Sequence, residues 1–142
     1  MEARGSTRPV LDERTMRVVL LAIGAFHVFL GGWQFLAPGS FFEHVGRYGA
    51  ESTHYVGDVG SFTLAFGVAI LLAAGRPSWR APLLALGAIW YGLHAINHLF
   101  DIDENRISNA RGAIDAILIG FGAGALAWLA AVSDRLRRQA ER

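Results

Sequence analysis

Four apolar runs, each close to the roughly 20 residues that a bilayer demands of a helix, fill most of this chain. They cover about 18–37 (VVLLAIGAFHVFLGGWQFLA), 55–74 (YVGDVGSFTLAFGVAILLAA), 81–100 (APLLALGAIWYGLHAINHLF) and 113–132 (AIDAILIGFGAGALAWLAAV). Helices of a water-soluble bundle carry a polar face, and these runs have almost none. The fold expected is therefore all-α: an integral membrane four-helix bundle spanning residues 18–132. Residues 1–17 and 133–142 flank it as polar terminal segments.

Charge gives the expected orientation. All 13 basic residues are Arg, and the formal net charge is only +1, which gives no footprint for a nucleic-acid partner. Arg4, Arg8, Arg14, Arg17, Arg76, Arg80, Arg135, Arg137, Arg138 and Arg142 fall on one side of the four spans. Arg47, Arg106 and Arg111 fall on the other. This bias places both termini in the cytoplasm, with an uncleaved first span. There is no cysteine, which excludes disulfides, thiolate metal sites and thiol redox chemistry.

Two shorter connections have signatures of their own. Ser40-Phe41-Phe42-Glu43, after Pro38-Gly39, reads as a capping box opening a short interfacial helix. That helix would turn Phe41, Phe42, Val45 and Tyr48 toward the membrane, with Glu43 and Arg47 more exposed. Gly75-Arg76-Pro77-Ser78 reads as a tight turn between antiparallel neighbours.

The chain also matches itself. LLAIGA at 20–25 recurs as LLALGA at 83–88, an offset that also pairs Leu30 with Leu93. An offset of 57 pairs Asp58 with Asp115, Gly67 with Gly124, and LAA at 72–74 with LAA at 129–131. Two duplicated helical hairpins related by a pseudo-twofold along the membrane normal would give this pattern. The histidines break it, because His94 and His98 stand where the first repeat has Gly31 and Phe35.

Polar residues inside such spans are expensive and count as functional candidates. On the first span Leu20, Gly24, His27, Gly31 and Gln34 repeat with 4-3-4-3 spacing, a seam suited to close helix packing. In WYGLHAINHLFD, His94, His98 and Asp101 share one helical face. By depth the outer half can gather His27, Gln34, Asp58, His94, Asn97, His98, Asp101 and Asp115.

Three readings compete for that group. His94 and His98, with Asp58 or Asp115, have the residue types and spacing of a divalent metal site. His27 with His94 could be an axial pair for haem, or the pocket could hold a quinone or a lipid headgroup. Alternatively the polar groups satisfy one another, with Gln34, Asn97 and Asp101 completing a polar pocket that fixes helix register. An Asp near a helix N-terminus is also favoured by the helix dipole without further function. A proton relay within an oligomeric transporter is a further variant, since His titrates near neutrality.

Asp101, Asp103 and Asn105 imitate half a calcium loop, but Arg106 occupies the position that needs glycine. Phosphate loops, nucleophile elbows and Rossmann fingerprints are absent, so the expectation leans away from an enzyme. The partners expected are the lipid bilayer and either a further copy of the chain or another membrane subunit.

Span count, length, the Gly/Ala-rich first helix LLAIGAFHVFLGG, and the polar opening of the second in GDVGSFTLAFGVAILLAA together resemble the DoxX-like group of small four-span bacterial membrane proteins. The resemblance covers about 18–132. It implies a location in the bacterial cytoplasmic membrane and an accessory role beside other subunits, and it transfers no functional residue.

Overall fold

The computed structural model describes residues 11–47, 49–103 and 108–142, and of Asp103 only the backbone. Arg4, Arg8, Tyr48, Asn105, Arg106 and the Asp103 side chain, each used in the sequence reading, lie outside what is described. Five helices and no strand form among the described residues: α1 (Glu13–Leu36), α2 (Pro38–His44), α3 (Thr53–Ala74), α4 (Pro77–Asp103) and α5 (Asn109–Ala140). All except α2 are long and apolar enough to cross a membrane.

Local chemistry sets the ends of these helices. Asp12 caps α1 by accepting the Thr15 N–H at 2.7 Å. Ser52 and Ser108 cap α3 and α5 in the same way. Hydropathy marks only the apolar middle of each helix. The capped helices start earlier, and α5 runs on to Ala140 through the pairs of Asp134 with Arg137 and Arg138. The expected turn at 75–78 is short because Pro77 opens α4 directly, where its missing N–H costs nothing. Pro82 then lies inside the second turn of α4.

The expected capping box at Ser40 does not form. Pro38 starts α2 three residues before the expected start at Phe41, the N-cap is Ala37, and no side chain caps it. The Ser40 hydroxyl instead accepts the indole N–H of Trp33 at 3.3 Å. Phe41 is buried edge-on against Trp33. Phe42 is partly buried and Val45 is exposed.

Two hairpins are visible in the packing: α1 lies against α3, and α4 against α5. A lighter contact joins α3 to α4. The buried stripe of α1 is Met16, Leu20, Gly24, His27, Gly31 and Gln34, which contains the whole seam read from the sequence. Glycines let α1 and α3 meet backbone to backbone. A Cβ on Gly31 would collide with the Leu64 backbone nitrogen, and one on Gly67 would fall 2.6 Å from the Val28 nitrogen. The second hairpin lacks this closeness at its matching position, since Gly124 has nothing near its Cβ direction.

The apolar core occupies one half of the bundle. Met16, Leu20, Phe66, Ile70, Leu84, Leu126, Leu129 and Val132 all lie toward the arginine-rich end, where α1 and α4 begin and α3 and α5 finish. Arg80 closes that end. It is 3% exposed, donates to the Ala73 and Ala74 carbonyls at the terminus of α3, and meets Glu13 of α1 at 2.7 Å. One guanidinium thus satisfies carbonyls that the end of α3 leaves open and ties three helices together.

Candidate functional site

The half of the bundle nearer α2 carries the polar residues, and the structure divides them into an interior set and a surface set. His27 is interior. Its Nδ1 faces the Ile23 carbonyl at 2.7 Å, so that nitrogen carries the proton, and its Nε2 accepts the Tyr91 hydroxyl at 2.7 Å. Both ring nitrogens are therefore engaged, and the bond to Tyr91 joins α1 to α4. Phe66, Trp90 and Tyr91 surround the imidazole with ring centroids 5.0–6.4 Å away. Tyr91 escaped sequence reading, because an aromatic residue on an apolar helix gives no sign of a partner 64 positions away.

One heptad farther toward the α2 end on each helix are Gln34 and His98, both buried. Gln34 is 8% exposed, and its Oε1 has no hydrogen-bond partner among the described residues. His98 stacks edge to face on His94 at 4.7 Å between centroids, and its Nδ1 is 4.0 Å from the carboxylate of buried Asp101. The expected His94/His98/Asp101 face thus exists on α4, with its last two members turned inward.

The surface set is Asp58, His94 and Asn97, all exposed. Asp58 lies 3.4 Å from His54, one turn earlier on its own helix. Asp115, half-buried, lies 3.6 Å from Arg111 on α5. Arg111 also donates to the Val45 carbonyl at 2.6 Å, tying α5 to the segment after α2. The structure accordingly brings His94 and His98 together, while each carboxylate offered as their partner has an ionic neighbour on its own helix. Among the described residues no three His, Asp or Glu converge as metal ligands. His27 and His94 differ in setting as well, one enclosed by aromatic rings and the other on the surface.

Trp90, His94 and Asn97 follow 4-3 spacing along one flank of α4. That flank faces α3, because Trp90 packs edge-on against Phe62 at 4.8 Å. Beside it α3 and α4 leave an open cleft of about 410 Å³ lined by Asp58, Val59, Phe62 and Trp90.

No family model, curated protein or solved structure matches the chain. The geometry alone characterises the site: a cleft with an aromatic floor and a carboxylate in its lining, and an exposed imidazole and carboxamide farther along the same flank of α4. These groups can donate and accept hydrogen bonds toward whatever lies against them. Within the four expected spans, α1 and α5 expose only apolar side chains and glycine. Apart from Tyr55 near the end of its span, the exposed polar side chains there are Asp58 and Ser61 on α3 and His94 and Asn97 on α4.

Proposed function

We propose that this chain is a non-catalytic, accessory four-span protein of the bacterial cytoplasmic membrane, DoxX-like in layout. Both termini are cytoplasmic, and the outer half presents a polar site that recognises another membrane component. The observation that carries this reading is that the exposed polar side chains of the spans lie on α3 and α4, with Asp58, His94 and Asn97 toward the α2 end. Lipid tails offer no hydrogen bonds, so an exposed imidazole, carboxamide and carboxylate at that depth are costly. A component that meets them with polar groups removes the cost. The dense core and the Arg80 clamp occupy the opposite half, leaving the outer half to present the site.

The test is site-directed photo-crosslinking in membranes, with a photoreactive residue in place of Asn97 and, as a control, of Phe121, which is 79% exposed on apolar α5. A discrete adduct at position 97 and only bulk lipid at 121 is the expected result. Bulk lipid at both positions would sink the reading.

A further inference from the structure

We infer that the polar flank of α3 and α4 closes on a second copy of this chain, in a twofold dimer whose axis runs along the bundle and in which His94 of each copy meets Asp58 of the other. This rests on the recognition reading above and names its partner.

Depth is the first support. Phe62 and Trp90 touch, and α3 and α4 run antiparallel. Four residues toward the α2 end, about 6 Å along each helix, are Asp58 and His94. The two therefore lie at one level, Asp58 in the lining of the cleft and His94 one turn beyond Trp90 on the α4 flank beside it. A twofold axis along the bundle preserves depth, so it carries His94 of one copy to the level of Asp58 of the other.

Complementarity is the second support. A twofold interface places a surface against itself, so it must carry its own donors and acceptors. This flank does, with a carboxylate on α3 and an imidazole on α4 at the same depth. Asn97 carries a donor and an acceptor on one amide, so it can pair with its own counterpart near the axis. A carboxylate accepts several hydrogen bonds, so the neighbouring His54 does not saturate Asp58.

Shape is the third. Leu93 and Ile96 stand exposed beside His94 and Asn97, and the cleft of about 410 Å³ has an apolar floor of Val59, Phe62 and Trp90. Each copy thus offers both knobs and a hole. Docking through α1 or α5 would leave every one of these polar groups in lipid.

The absence of native cysteine makes the test direct. Asn97→Cys and, separately, Phe121→Cys are oxidised mildly in membranes. Asn97→Cys is expected to convert most of the protein to a disulfide dimer, and Phe121→Cys to stay monomeric. Adding His94→Asp or Asp58→His should lower the Asn97→Cys dimer about tenfold, the scale of one charge-assisted contact, and the double exchange should restore it. Circular dichroism and elution of each variant establish that it is folded.

Equal crosslinking at 97 and 121, or a folded double exchange that restores nothing, overturns the proposal. If position 97 then still photo-crosslinks to a different discrete component, the recognition site stands and only the second copy is removed. If it yields bulk lipid alone, both fall.

Discussion

His27 shows how a single residue can be placed correctly while its chemistry stays hidden. Its position on the α1 seam follows from 4-3 spacing, but its partner Tyr91 is on a helix that only the folded bundle brings near. Tyr91→Phe leaves the buried Nε2 without a donor. The expected loss is about 0.6–1.7 kcal/mol in detergent unfolding, the range of measured membrane hydrogen bonds. His27→Leu combined with Tyr91→Phe should cost less than the sum of the two, as for groups in direct contact. Arg80 is the larger case. Its sequence context says only that it belongs with the positive-side arginines, yet it is buried and serves three acceptors. Since Glu13 is mostly exposed, the ion pair adds little, and the carbonyl bonds dominate. Arg80→Met should lower stability by about 2–3 kcal/mol, and Arg80→Lys should recover only part of it. Asp12 behaves differently because it is fully exposed. The Thr15 N–H bond holds its carboxyl below the ordinary value of 3.8. Its contribution is complete above that value and disappears as pH falls through the lower, folded-state value. Asp12→Asn should therefore flatten the acid limb of an α1 stability profile followed by circular dichroism, while leaving the neutral plateau nearly unchanged.

At the scale of helices, hydropathy located the four long apolar helices but not their ends. Caps at Asp12, Ser52 and Ser108 and the N1 proline of α4 extend the helices beyond their apolar stretches. Backbone rules set those ends, and apolar content does not report them. The capping box at Ser40 failed for the same kind of reason, since Pro38 determined the start of α2 before Ser40 could. The glycine seam of α1 was legible, and its partner glycines on α3 give it consequence. Gly31→Ala places a methyl against backbone, which cannot yield by changing rotamer, so α1 and α3 must separate. A loss of about 1–3 kcal/mol is expected, the usual cost of overpacking. Gly124→Ala, aligned with Gly67 in the second hairpin, meets nothing and should be neutral or stabilising by up to about 1 kcal/mol. Equal costs at the two positions, measured by unfolding in mixed micelles, would contradict the asymmetry between hairpins.

Across the whole molecule the chain separates its tasks along its length. The arginine-rich half holds the apolar core and the Arg80 clamp, and the half nearer α2 holds the polar interior and the polar flank. Sequence depth grouped the polar residues in one half but could not sort inward from outward. One helical step divides buried His98 from exposed Asn97, and only packing against the neighbouring helices fixes that step. The carboxylates show the same limit. Asp58 and Asp115 pair at the 57-residue offset, yet each has an ionic neighbour on its own helix, His54 and Arg111. The most direct measurement of the central claim is oxygen accessibility of spin labels in bilayers, attached singly to cysteines at positions 97, 29 and 121. Phe29 and Phe121 face outward on apolar α1 and α5 and should report the high oxygen exposure of lipid. A covered recognition flank gives position 97 an exposure well below both. A value at 97 equal to theirs would mean that the flank lies bare in lipid, which contradicts the account.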